Sequence, residues 1–238
     1  MRLSMEYASG IEPHRKGSVW RIHDSRRTGR HAPENHRPAM APAYAEPNVA
    51  PGGFDEYKKS RKQGNRAFAL WADPDRRRMI ARVRTVAATR RGPATYEITG
   101  AAGELIGTAT REPALRGGRI RTRWTVTAAG REPVIGHKGQ SGWWVVWWFF
   151  FPLQAALAAF MVAALLLGGG DGDLARMPRR IRWRDNTTGA VTLDFHDDDL
   201  EAPDGHWDPR LVGGLVTLLR TFPGWLENAW DTQDHRGN

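Results

Sequence analysis

The chain reads as an α+β protein: a mainly antiparallel β-sheet of about six strands with flanking helices and one inserted hydrophobic membrane segment. Three observations predict this class. Three strand–turn–strand units of one form recur, two Asp-Pro pairs open apolar-periodic stretches, and Trp143 to Gly168 runs 26 residues without a charge. The 238 residues suffice for one folded domain with extensions or for two small ones.

Composition narrows the chemistry. The chain has no cysteine, which excludes disulfides, thiolate zinc sites and a cysteine nucleophile. Its net charge of +9 is unevenly placed: residues 1–92 hold 20 Lys/Arg against 9 Asp/Glu, and residues 93–238 hold 15 against 17. The N-terminal part therefore expects an anionic partner, lipid headgroups or nucleic acid.

Residues 1–53 are rich in Pro, Gly, His and Arg with no apolar period, and are expected to be a disordered basic N-terminus. They contain no apolar signal region, so this part is expected to stay in the cytoplasm. Residues 54–92 read as a basic helical region. Asp73-Pro74 resembles an N-cap and first-turn proline, after which Met79, Ile80, Val83, Val86 and Ala87 fall on one helical face. Arg76, Arg77, Arg78 and Arg82 then suit a helix lying on anionic lipid.

From residue 93 the period becomes 2. The first unit pairs Tyr96–Thr99 with Leu105–Thr110 through Ala101-Ala102-Gly103. The second pairs Arg121–Thr127 with Pro133–His137 through Ala128-Ala129-Gly130. The third pairs Ile181–Arg184 with Val191–Phe195 through Thr187-Thr188-Gly189. These divide a β domain into 93–140 and 177–231, with the apolar segment 143–168 between. As a helix that segment would measure about 39 Å, against a hydrocarbon core of roughly 30 Å. Trp143, Trp144, Trp147 and Trp148, with Lys138 before them, suit the membrane interface. A single span separates the first two hairpins from the third and sends Arg179, Arg180, Arg182 and Arg184 outward, against the positive-inside rule. A re-entrant hairpin turning at Pro152 keeps all on one side, with those arginines at lipid headgroups. A C-terminal helix opens at Asp208-Pro209, carries Leu211, Val212, Leu215, Leu218, Leu219 and Phe222, and is expected to pack on the sheet.

The pattern of Tyr96, Ile98, Gly103, Ile106 and Gly107 resembles hairpins of the tubby-C-terminal-like group, which includes phospholipid scramblases. That resemblance covers about residues 94–222. It implies a barrel of strand–turn–strand units around a central apolar helix, and a lipid-facing or binding scaffold in place of an enzyme. The long apolar insertion departs from the group.

The densest carboxylate cluster, with Asp197, Asp199, Glu201 and Asp204, suits an oxygen-ligated metal, although its spacing is not that of an EF-hand. A metal-assisted membrane enzyme using His196 to Asp208 is one alternative function. A nucleic-acid binder using residues 58–91 is another, without a recognised motif. The leading expectation is a non-enzymatic, membrane-anchored scaffold or binding module at the cell membrane. Its partners would be anionic lipids or another membrane protein, with no cofactor.

Overall fold

The computed structural model describes residues 1–7, 20–25, 43–47, 53–114, 120–139, 180–222 and 229–232. Twelve antiparallel strands close into a barrel. They are β1 (Arg2–Tyr7), β2 (Trp20–Asp24), β3 (Ala43–Pro47), β4 (Ala67–Trp71), β5 (Met79–Ala88), β6 (Ala94–Gly100), β7 (Leu105–Glu112), β8 (Arg123–Ala128), β9 (Val134–Lys138), β10 (Ile181–Arg184), β11 (Val191–His196) and β12 (Asp199–Glu201). Each strand pairs with the next in the chain, and Leu3↔Leu200 seals β1 to β12. Closure leaves no sheet edge unpaired.

Alternation sets which side chains enter. On β6, Ala94, Tyr96, Ile98 and Gly100 are buried, while Thr95, Glu97 and Thr99 between them point outward. Trp124, Trp183, Phe68 and Leu200 fill the interior from other strands. The three hairpins read from the sequence lie at β6–β7, β8–β9 and β10–β11. Gly103 and Gly189 adopt φ of +87° and +69° at their tips, a conformation that a Cβ disfavours.

The interior is filled by helix α2 (Pro209–Leu219). Its residues from Leu211 through Leu219 are all buried, which a helix resting on one sheet face does not achieve. Asp208 caps it by accepting from the Arg210 amide at 2.8 Å. Small residues let helix and wall approach. A Cβ at Gly107 would lie 2.9 Å from Leu211 Cδ1, and one at Gly214 3.1 Å from Val83. Helix α1 (Gly53–Lys62) lies between β3 and β4, and a 3-10 turn, Trp230–Thr232, tucks Trp230 against Phe68 and Trp20.

Three expectations are corrected. The sheet has twelve closed strands where about six were read. The missing strands come from two regions: β1–β3 lie within the supposedly disordered residues 1–53, and β4 and β5 within the supposed helical region. β5 carries two periods at once. Its apolar residues fit a helix face, but Ala81 and Val83 point inward between outward Arg82 and Arg84, and strand pairing decides. The C-terminal helix is enclosed by the sheet instead of flanking it.

The third correction concerns the membrane segment. Trp143–Gly168 lies outside the described residues, and among the described residues no helix is long and apolar enough to cross a membrane. β9 and β10 are direct neighbours, and the Gly139 amide donates to the Arg180 carbonyl at 2.9 Å. The hairpins before and after the segment thus share one sheet, which a single transmembrane helix would forbid. The transmembrane-helix reading is therefore set aside.

Candidate functional site: the basic outer surface

α2 occupies the barrel interior, and two clefts among the described residues are surface grooves. One lies between α1 and β4–β5, lined by Tyr57, Ser60, Asn65, Arg66, Arg84 and Thr85. The other lies outside β7 and the β8–β9 turn, around Thr108, Thr127 and Arg131.

Among the described residues, a strongly cationic strip follows β5. Outward Arg82 and Arg84 stand on it, with exposed Arg78 before it and exposed Arg90 and Arg91 beyond its far end. Lys59 and Lys62 of α1 join them, since Gly64 packs against Ala88 at the end of β5. Arg84 is tied to Glu97, with Nη2 at 3.0 Å from the carboxylate, whereas the Arg82 guanidinium reaches the Met79 thioether at 4.0 Å. A bulge between Thr85 and Ala87 leaves Val86 54% exposed in the same strip.

The expected headgroup arginines do not form one surface. In the β4–β5 turn, Arg76 lies 2.5 Å from Glu46. Arg77 and Arg78 donate their amides to Asp73, and the Arg77 amide first among these holds that carboxyl below its usual range. On β10, Arg180 and Arg182 both bond Asp194 and Arg184 donates to the Gly189 carbonyl. β5 and β10 are five strands apart in a ring of twelve, on nearly opposite walls. Arg179 and the four tryptophans lie outside the described residues. Lys138 ends β9, half-buried.

The carboxylates read as metal ligands have other partners. Asp199 accepts from Arg2 Nε at 2.7 Å, Glu201 lies 3.6 Å from the same nitrogen, and Asp204 pairs with the Met1 ammonium. Asp197 and Asp198 form the two-residue β11–β12 turn, both with positive φ. Among the described residues no group of three potential ligands is assembled.

One cluster was not foreseen. Asp231, fully buried, accepts from Tyr57 Oη at 2.9 Å and Arg61 Nε at 2.8 Å, with Arg66 at 3.7 Å. Arg61 also donates to the Thr221 carbonyl beyond α2, and the guanidinium groups of Arg66 and Arg111 lie over the Phe222 ring. Burial, then the Asp231 charge, pushes the Tyr57 hydroxyl far up, and burial pulls both Arg66 and Arg111 down. The cluster closes the barrel over the helix end. No signal in the sequence joins residues 170 positions apart.

Comparison with protein-family models, with curated proteins and with solved structures finds no match for the chain.

Proposed function

We propose that this protein is a non-enzymatic binding module for an anionic lipid surface. The observation that carries the reading is the run of exposed arginine and lysine side chains along β5 and α1, on a barrel whose interior its own helix occupies. Such a barrel offers its outside for contact, and Lys/Arg near an anionic membrane contribute about 1 kcal/mol each.

The enclosed helix also supports the resemblance to the tubby-C-terminal-like group. The residues that carry it have structural roles here: Tyr96 and Ile98 face the interior, and Gly107 seats Leu211. Because β1–β3 share the barrel with β10–β12, a cytoplasmic N-terminal part implies a cytoplasmic barrel. The module would then work at the inner face of the cell membrane.

Vesicle co-sedimentation tests the reading. The full chain should bind vesicles containing phosphatidylglycerol, not pure phosphatidylcholine, and salt should weaken binding. Reversing Lys62, Arg82, Arg90 and Arg91 to Glu should reduce affinity by at least about a hundredfold. Equal binding to both vesicle types would sink the proposal. Binding to duplex DNA with a steep salt slope, and to no vesicle, would replace it with the nucleic-acid reading of residues 58–91.

A further inference from the structure

Where α2 ends, three guanidinium groups gather, and among the described residues one carboxylate answers them. Asp231 accepts from Arg61 at 2.8 Å and lies 3.7 Å from Arg66. Arg111 meets no carboxylate among the described residues, and none of their carbonyls accepts from it. Yet it points into the barrel. On β7 it shares the parity of fully buried Ala109, and it stands directly opposite buried Ala94 of β6 and Trp124 of β8. Thr110 faces outward beside it and meets Thr95 Oγ1 at 3.2 Å.

The Arg111 guanidinium lies 4.5 Å from the centroid of the Phe222 ring, and that of Arg66 lies 5.0 Å from the same centroid. Two like charges therefore share one ring, with Arg66 only 6% exposed and Arg111 half-buried. Burial first holds Arg111 below its usual range, and the Arg66 charge pulls the same way. An aromatic face attracts a cation but cancels none of its charge. The carbonyl end of α2 supplies roughly half a negative charge. With Asp231 that makes about one and a half against three arginines. A buried charge without a counter-charge is strongly disfavoured.

From this imbalance we infer that Arg111 and Arg66, over the Phe222 ring, form a binding site for a small oxyanion of the phosphate class. A phosphate dianion matches the uncancelled charge, and the planar guanidinium fork takes two of its oxygens at once. Tyr96 stands close enough to feel both arginines. Its Oη reaches the Gly64 carbonyl at 3.5 Å, a contact weak enough to exchange for a phosphate oxygen. The site is distinct from the strip along β5 and does not rest on the lipid-binding reading, since free phosphate needs no membrane. Free phosphate and a lipid headgroup share this chemistry, and the test separates them.

Thermal unfolding of the full chain is followed while sodium phosphate replaces sodium chloride at constant ionic strength. The expected result is a saturable rise of the midpoint, about 5 °C or more once phosphate exceeds its dissociation constant a hundredfold. Arg111→Gln should remove that rise and keep the near-ultraviolet dichroism of the parent. Arg111→Lys should keep the rise but need several-fold more phosphate, because an ammonium binds as a point charge. Arg77→Gln, on an exposed side chain of the β4–β5 turn, should leave the rise unchanged. A midpoint that phosphate moves no more than chloride does, or moves equally in Arg111→Gln and the parent, overturns the site. Vesicles of phosphatidylcholine with phosphatidic acid then identify the source. If they retain the parent but not Arg111→Gln, and saturating phosphate competes, the occupant is a headgroup. If they retain both proteins alike while the phosphate rise still needs Arg111, the occupant is free phosphate. A phosphate rise in a chain that binds no vesicle removes the lipid reading and leaves this site standing.

Discussion

Asp231 shows how a single carboxylate organises the closed end of the barrel. It has no solvent exposure, and Arg61 and Arg66 face it with Tyr57 completing the contact. Removing one partner of a buried pair leaves the others charged and desolvated, at a cost of about 3–5 kcal/mol. Asp231→Ala should therefore lower the midpoint of denaturant unfolding by that amount of stability, and a change below about 1 kcal/mol would show that water already reaches the cluster. Tyr57 and Tyr96 provide a second reading at this scale. Burial raises both hydroxyls above their ordinary range, so the folded state holds these protons more tightly than the unfolded chain does. Stability from this source is complete below the unfolded tyrosine value, near about 10, and declines as pH rises beyond it. In an alkaline titration, the phenolate absorbance of these two residues should appear only together with loss of the near-ultraviolet dichroism. Tyr57→Phe and Tyr96→Phe should each shrink that late step, and phenolate formation by both before unfolding would contradict their burial.

β5 is where element and pattern part company. A helical reading treats Met79, Ile80, Val83 and Val86 as one buried face, whereas the strand buries Val83 completely and leaves Val86 half exposed. Val83→Asp should accordingly cost more than about 3 kcal/mol, because it places an unpaired charge against Gly214 of the helix, while Val86→Asp should stay within about 0.5 kcal/mol. Thermal unfolding of the two variants separates the readings, and similar losses in both would favour the helix. The hairpins were legible because small-residue turns ending in glycine punctuate two-residue periods. β1–β3 were not legible: each has five or six residues, and the stretches between them are rich in Pro, Gly and Arg. Their order comes from barrel neighbours distant in the chain, such as Leu3 opposite Leu200. The C-terminal helix was recognisable from Asp208-Pro209 and its leucines, but a stripe cannot say whether wall surrounds it on all sides. Thr217 and the Gly213-Gly214 pair broke the apolar face in the sequence. In the fold, Thr217 Oγ1 donates back to the Gly213 carbonyl, which satisfies the hydroxyl inside the core.

At the scale of the molecule, strand direction assigns each basic run to an end, which composition cannot do. Arg76–Arg78 and Arg90–Arg91 look alike in the sequence, yet β5 lies between them and carries them to opposite ends. The neighbouring positions of Gly139 and Arg180 also allow a prediction about the whole fold. Replacing residues 140–179 with a four-residue Gly/Ser loop should preserve the near-ultraviolet dichroism and the cooperative unfolding. Loop-closure entropy alone would make the shortened protein more stable by about 2 kcal/mol. A shortened chain without tertiary dichroism would mean that those forty residues are required to close the barrel.

The place of α2 in the chain bears on how the protein comes to exist. All twelve strands precede it, and the partner of β1 arrives only at residues 199–201. At about 5–20 residues per second, synthesis through α2 takes on the order of 10–50 s, and until α2 is made the inward faces of Phe68, Tyr96, Trp124 and Trp183 have nothing to enclose. The wall is made before its filling, so sealing must wait until β12 and α2 have been made. Long-range pairing of this kind makes closure slow and leaves apolar strands uncovered meanwhile.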